Sequence, residues 1–354
     1  MAKIINFPVL SKQEMMALAE VVFVKTLELG PIASLVDVRT GAESGDRIAW
    51  VGRMGMVGKK GRGCSPTNDT PTAPLSEKRV DLKEFDIRLV QCYTELEGIL
   101  YRLGLKKAAE IGDLEGTDWQ RFYEELLTEA IDMMYRRLLY FGDTEAENVT
   151  DGGEILDGVD VTFFTTVDGV FKQIADLITA GAAVVVKTIT SNAQATKAAQ
   201  LAYDEDLLPI LDALILDAPA ALAKETDSAV YVTRWTMSRL KKELLTLPAG
   251  AYTESQFKLN EEGFTTVMRL GREIIEMPDW DEVIEAALNN GTKYLKPFRM
   301  LYTTKSNVKL CVPGDGAFTD IASWYENKER SFYTDVIDKL DVLVMRPELI
   351  AIAW

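Results

Sequence analysis

The sequence contains no histidine. That absence removes the commonest general acid–base, the commonest zinc ligand and every nucleophile that an imidazole would activate. Catalysis would have to run on carboxylates or lysine. Cysteine is scarce as well: Cys64, Cys92 and Cys311 are odd in number, far apart and in no C-x-x-C pairing. They supply neither a disulfide framework nor a thiolate metal site, and they fit a reducing compartment. Long apolar runs are missing. The best candidate, LLPILDALILDAPAALA, is broken by Asp212 and Asp217, short of the roughly 18 uninterrupted residues a membrane helix needs. The N-terminal MAKIINFPVLSKQEMM has no extended apolar region followed by a cleavage site, so a secretory leader is not expected. Positive charge is also in short supply, with 39 Lys and Arg against 55 Asp and Glu and a net charge of -16. A general nucleic-acid binder needs a basic face that this balance does not provide. Copies of such a chain repel one another, so self-association must bring opposite charges together locally.

What is present is an ordinary globular composition, 47% apolar and 27% charged over 354 residues, enough for two or three structural units. One stretch departs from it. In WVGRMGMVGKKGRGCSPTNDTPTAP, Trp50–Pro74, five glycines fall between Gly52 and Gly63. From Arg47 to Gly63 there are five basic residues, Arg47, Arg53, Lys59, Lys60 and Arg62, and no acidic one. A phosphate cradle is the first chemistry to test, and it fails. Before Gly58-Lys59, Arg53 stands where a Walker loop needs glycine, and Lys60 replaces the hydroxyl residue. The dinucleotide fingerprint fails at Pro66, and no helical segment follows to hold a phosphate. Trp50 is the stretch's only aromatic, so it lacks the stacking platform of a single-strand binder. Its charge complements an acidic neighbouring copy. The acid-rich DGGEILDGVD does not match calcium-loop spacing and reads as a turn-rich connector. Pairs such as Glu124-Glu125 and Glu261-Glu262 are expected by chance among so many acids. No catalytic, cofactor-binding or metal-binding residue is assigned.

The order of elements is more informative. Ser11 and Glu14 form a capping box ahead of an arm helix that ends at Gly30-Pro31. SLVDVRT and RIAWVGRM read as strands, and EKRVDLKEFDIRLVQC alternates as one long half-buried strand should. With the glycine-rich stretch between them, they form an extended β-hairpin that has too few large apolar residues to stand alone. DWQRFYEELLTEAIDMMYRRLLYF, Asp118–Phe141, is the clearest helix, capped by Thr117 with Gln120 and stopped at Gly142-Asp143. Trp119, Phe122, Leu126, Ala130, Met133 with Met134, Arg137 with Leu138, and Phe141 keep helical spacing along it, and at 1.5 Å per residue it spans roughly 36 Å. Beyond it, FFTTVDGVFKQIADLI reads as a helix, AAVVVKTIT as a buried strand, DEDLLPILDALIL as a helix, and SAVYVT as a strand leading into the helix RWTMSRLKKELL. REIIEM, FRMLYTT and KLCVPG are short strands, and WYENKERSFYTDVIDKLDVLVM with RPELIAIAW closes the chain as sheet.

Arm, hairpin, long helix ending in Gly-Asp, then a mixed α/β region: this order resembles the major capsid proteins of tailed bacteriophages, the Hong Kong 97 fold. EKRVDLKEFDIRLVQCYTELE is similar to the strand leaving that family's extended loop, and Asp118–Asp143 to its spine helix. SAVYVTRWTMSRLKKELL resembles the strand-helix unit of its axial domain, PFRMLYTTKSNVKLCV a strand pair, and WYENKERSFYTDVIDKLDVLVMRPELIAIAW its closing strands. DGVFKQI and the C-terminal half resemble capsid proteins of crAss-like and related phages of gut bacteria.

The resemblance implies an α+β chain with an N-terminal arm (1–30), an extended loop (31–85), a peripheral domain with the spine helix (86–160 and 300–345) and an axial domain (161–299), with 346–354 left between the last two. It implies no enzyme, but a subunit that assembles with itself into hexamers and pentamers of an icosahedral head, formed in the host bacterial cytoplasm and ending in the virion. Portal, scaffolding and decoration proteins are its implied partners. The head encloses double-stranded DNA without sequence-specific binding and needs no membrane and no cofactor. Arg47, Arg53, Lys59, Lys60 and Arg62 become the implied inter-subunit contact. Only some thirty residues precede the hairpin, so scaffolding is expected from a separate protein. Lys59 and Lys60 have no matching Asn, so no crosslink is expected. The alternatives are an encapsulin-like compartment shell with the same fold, a histidine-free α/β enzyme, and a DNA-binding protein that uses the basic stretch.

Overall fold

The computed structural model describes residues 31–52, 75–92, 118–247, 256–260, 263–313, 321–326, 328–329 and 331–354. The expected arm helix, the basic stretch beyond Gly52, the Thr117 cap, Pro248 and most of the VPGDGAF turn lie outside those residues.

In chain order the elements begin with helix α1 (Pro31–Leu35), strands β1 (Asp37–Arg39), β2 (Arg47–Val51), β3 (Leu75–Arg79) and β4 (Lys83–Cys92), and the long helix α2 (Asp118–Phe141). Then come α3 (Val170–Thr179), β5 (Val185–Lys187), α4 (Lys197–Ala202), α5 (Leu208–Leu216), α6 (Ala220–Ala223), β6 (Ser228–Thr233) and α7 (Arg234–Thr246). The chain continues through β7 (Lys258–Leu259), β8 (Thr265–Arg269), β9 (Arg272–Met277), α8 (Pro278–Ala286), β10 (Met300–Thr304), β11 (Val308–Cys311), β12 (Ile321–Glu326), β13 (Ser331–Val344) and β14 (Ala351–Ala353). None of the described helices is long and apolar enough to cross a membrane.

The first sheet is built on β13. Its N-terminal part pairs antiparallel with both β4 and β12, and its last four residues pair with β11, which carries β1 in parallel on its other side. Along β13, Val336, Asp338, Leu340, Val342 and Val344 are buried at every second position, the period a strand imposes. Helix α2 covers this face through Leu127, Ile131, Met134, Tyr135 and Leu138, spaced three or four residues apart. Of the expected stripe, Ala130 is exposed and Met133 is 45% exposed, whereas Met134, Leu138 and Phe141 are buried. Two apolar stripes about 100° apart run along this helix, and packing against the sheet and its neighbouring helices selects the second.

The seven-stranded sheet has the order β5-β14-β10-β6-β9-β8-β7. Its central strands β6, β10 and β14 are buried at every residue, as apolar runs covered on both faces should be. Alternate residues feed two separate cores. Ala229, Tyr231, Leu301 and Ile352 join the core that α2 shares with the first sheet. Val230, Val232, Met300, Tyr302, Ala351 and Ala353 face α5 and α7. Met300–Thr304, placed from the sequence with the peripheral segment, thus lies in the same sheet as β6, and the closing strand lies beside it.

Three other expectations are corrected. AAVVVKTIT forms only the three-residue edge strand β5, with Val186 41% exposed, because it has a single neighbour, β14. FFTTVDGVFKQIADLI becomes helical only at Val170, since Val161–Phe163 is a 3-10 turn capped by the Asp160 carboxylate, which accepts from the Thr162 amide. SLVDVRT starts within a helix, and EKRVDLKEFDIRLVQC divides at Val80-Leu82 into β3 and β4, which pair in different sheets.

Position 142, just past α2, requires glycine for a steric reason. The Gly169 amide donates to its carbonyl at 2.8 Å, and a Cβ on Gly142 would stand 2.2 Å from the Val167 carbonyl oxygen. Gly142→Ala must push α2 and the α3 entry apart. It is expected to lower stability by about 1–3 kcal/mol, as overpacking does, read as a lower urea midpoint. A midpoint equal to wild type would contradict this packing.

Candidate subunit interface

The basic stretch leaves the body on the β2–β3 hairpin, antiparallel in register from Arg47↔Arg79 to Val51↔Leu75. The root of this hairpin is firmly tied. The Ala42 amide donates to the Val312 carbonyl at 3.0 Å, Gly45 to Val80 at 2.8 Å, and Val80 to Asp46 at 2.8 Å. Gly45 has φ +104, which a residue with a Cβ seldom adopts. Below the root, Ala42, Ile48, Val80, Cys311, Leu343 and Met345 form a small core of their own. Farther out the hairpin is bare: the facing pair Val51 and Leu75 is 67% exposed at each residue.

Of the five basic residues expected at an interface, the structure places one. Arg47 Nη1 donates to Glu77 Oε1 at 2.7 Å, a pair within the same hairpin and on its exposed surface. Its charge is thereby already matched in cis. Arg53, Lys59, Lys60 and Arg62 lie outside the described residues.

Two buried carboxylates on β13 join the hairpin and α2 to the sheet. Asp338 Oδ2 accepts from the Tyr135 hydroxyl at 3.1 Å, and its Oδ1 accepts from the Lys339 amide at 2.6 Å. Burial pushes its carboxyl up to about 6, against the pull of these donors. Asp341 accepts from the Asp81 amide at 2.8 Å, where the chain passes from β3 to β4. Burial lifts this carboxyl to about 6 as well. Lys78 stands near it, held below its ordinary value by burial and lifted in turn by the Asp341 charge. Sequence reasoning did not single out these acids. The available signal was an aspartate at the inward phase of VIDKLDVLV.

On α2, Arg136 bridges Asp132 and Asp279, which fixes the helix to α8. Among the described residues, no group of three or more acids or cysteines is arranged to hold a metal ion.

No protein-family model matches the chain, and no curated protein sequence does. Solved structures do. A chain from the satellite phage P4 procapsid including size determination (Sid) protein is 11% identical, with a TM-score of 0.57 over 94% of this chain and 98% of that one. A chain from the capsid of the native GTA particle is 10% identical, TM-score 0.48, over 91% and 88% of the two chains. One from the capsid of Myoviridae phage XM1 is 13% identical, TM-score 0.47, over 91% and 90%.

The pH response of Asp338 tests the joint. Its folded pKa lies above the ordinary 3.8. Its favourable contribution is therefore complete below about pH 4 and lost as pH rises through about 6. Asp338→Asn keeps an acceptor for Tyr135 and has no charge to bury. Relative to wild type, it is expected to gain about 2–3 kcal/mol between pH 4 and pH 7, measured by urea unfolding at each pH. A pH-independent difference would contradict the burial of this carboxyl. Taken over nearly the whole of both molecules, the likeness to the P4 procapsid chain shows that this chain is built on the Hong Kong 97-type capsid fold.

Proposed function

We propose that the chain is the major structural subunit of an icosahedral phage head. Its match to a procapsid chain across 94% of its length is the observation that carries this reading. In this reading the seven-stranded sheet with α5 and α7 is the axial unit, and α2 with the β13 sheet is the peripheral unit. The hairpin is the extended loop, and residues 1–30 are the arm. Subunits meet through unlike surfaces, which close into rings when the rotation allows, here hexamers and pentamers.

The hairpin suits such a contact. It is rooted by hydrogen bonds and a small core, yet presents Val51 and Leu75 to solvent. Arg53, Lys59, Lys60 and Arg62 lie between its two strands in a chain of net charge -16, so the neighbouring copy is the acidic surface at hand. Each exposed ion pair contributes only about 0.2–1 kcal/mol, but several on one arm, repeated around a ring, act together. The shell's overall negative charge keeps it from clinging to the double-stranded DNA it encloses. Scaffolding, portal and decoration proteins are the further partners of this reading, assembly is in the host cytoplasm, and the role is structural with no catalysis.

Electron microscopy of the purified chain is the direct test. Closed shells or capsomer rings are expected, and a monomer under all conditions would refute the proposal. Shells loaded with cargo enzyme in place of DNA would identify a cellular compartment instead. Replacing Arg53, Lys59, Lys60 and Arg62 together by Gln is expected to cut particle yield at low salt several-fold, read by sedimentation. An unchanged yield would remove the charge contact while leaving the shell reading intact.

A further inference from the structure

Arg299, just ahead of β10, is 3% exposed. Its guanidinium lies 4.6 Å from the Phe171 ring centroid and 5.2 Å from that of Phe141. Nε donates to the Lys296 carbonyl at 2.9 Å and Nη2 to the Leu295 carbonyl at 3.0 Å. Two of its five N–H donors are thus engaged, both by uncharged acceptors. Lys296 stands beside it, with Nζ 3.7 Å from the Trp354 ring centroid. Neither cation forms an ion pair with any described residue, although Glu154 is near enough to act on both charges. Lys296 also has φ 46 and precedes Pro297, a left-handed backbone that L residues seldom adopt and that often marks a functional position. A fold that strains its backbone, buries Arg299 beside the half-buried Lys296 and forms an ion pair with neither leaves an electrostatic demand that Glu154 meets only from a distance.

Both cations line a cleft of about 270 Å³, formed by the end of α2, the connector after it, α3, the segment around Leu288–Arg299 and Trp354. We propose that this cleft binds a singly charged carboxylate, seated against Arg299 and Lys296. The volume holds a carboxylate with a short carbon tail and a few waters, each of which takes about 30 Å³. Phe141, Phe171, Leu288 and Leu295 supply an apolar wall for the tail. A low-dielectric wall also strengthens the charge pairing. Acids in the same cleft set its charge preference. Asp143, Glu145, Glu147, Glu154 and Asp176 line it, and the one further lining cation, Lys172, is already paired with Glu145 at 2.9 Å and Asp176 at 3.0 Å. For a phosphate dianion attraction and repulsion both double, whereas the cost of stripping its water on entering a partly buried site rises about fourfold, with the square of its charge.

Burial, with the Arg299 charge added, holds Lys296 down to about 8, while Glu154 opposes the shift. Of the other titratable groups around the cleft, Lys172 and Asp176 lie on α3 and Asp143, Glu145 and Glu147 on the connector. Binding therefore weakens as pH rises through about 8 and Lys296 loses its proton. The carboxylate has two sources, a free small acid or an Asp or Glu side chain of an adjacent copy. Only the second rests on the shell reading.

The test is the thermal midpoint of the full chain as sodium acetate replaces sodium chloride at constant ionic strength, pH 7. The wild-type midpoint is expected to rise and saturate, with a response to inorganic phosphate smaller than that to acetate. Arg299→Met and Lys296→Met are each expected to need at least tenfold more acetate, and the wild-type response should fade between pH 7 and pH 9. Lys296→Met decides the matter if Arg299→Met does not fold. A linear rise without saturation, an equal response in Lys296→Met, or a stronger response to phosphate would overturn the proposal. Saturation in both free subunits and assembled particles identifies a free carboxylate. Saturation in free subunits alone places a neighbour's side chain in the cleft, and saturation in neither state overturns the site.

Discussion

Two carboxylates three residues apart on β13 hold the molecule's main parts in register. An odd separation on a strand puts side chains on opposite faces. Asp338 therefore meets the Tyr135 hydroxyl on the face that α2 covers, and Asp341 meets the Asp81 amide at the hairpin root on the other. The apolar neighbours divide in the same way. Val336, Leu340, Val342 and Val344 join the α2 core, whereas Leu343 and Met345 pack under the hairpin with Cys311. A buried carboxylate is costly unless donors surround it, so each aspartate tolerates few alternative positions for its partner. The same strand is clasped by α3: Gln173 donates to the Val342 carbonyl at 2.7 Å and accepts from the Val344 amide at 3.0 Å. β13 is thus the plate to which hairpin, long helix and α3 are fastened.

The second sheet is attached by shared packing. Its strands send alternate residues to two cores, and one of these is continuous with the core beneath α2. Phe141 and Tyr140 at the end of α2 meet Trp280 of α8 edge to face, and Phe171 joins them from α3. The close approach of Gly142 to Gly169 allows these rings to converge. The aromatic junction also places Phe141 and Phe171 side by side against Arg299. Packing between the units and the chemistry of the cleft therefore have one geometric origin. In the proposed shell subunit the division is apt: the sheets and α2 form a body with a well-packed interior, and among the described residues the hairpin is anchored at its root.

Local signals in the sequence were dependable where the periodicity was strong and the boundary chemical. Asp118–Phe141 is helical over the expected span, SAVYVT passes directly into RWTMSRLKKELL, and the RIAWV strand returns through LSEKR as a hairpin. Pattern alone could not choose between the two apolar stripes of α2, because Met133 and Met134 are equally apolar and only the neighbouring elements distinguish them. Nor could it divide EKRVDLKEFDIRLVQC, since β3 and β4 keep one alternation while pairing with different partners. Of the expected basic contact, only Arg47 falls among the described residues, matched within its own hairpin, and the exposure of the facing pair Val51 and Leu75 had no signal in the pattern.

The sequence by itself determined what chemistry is available and where regular structure starts and stops. Without histidine or paired cysteines there is no imidazole catalysis and no thiolate metal site, and glycines at 142 and 45 mark a helix stop and a turn. Those are properties of single residues and of short windows, so they survive in one dimension. Only the tertiary structure decided that Asp338 and Asp341 would be buried on opposite faces of one strand. It alone brought Arg299 and Lys296 together with Phe141, Phe171 and Trp354, from segments more than a hundred residues apart in places. Burial and charge pairing depend on distances through space, and strand pairing sets those distances by joining residues whose separation along the chain carries no signal.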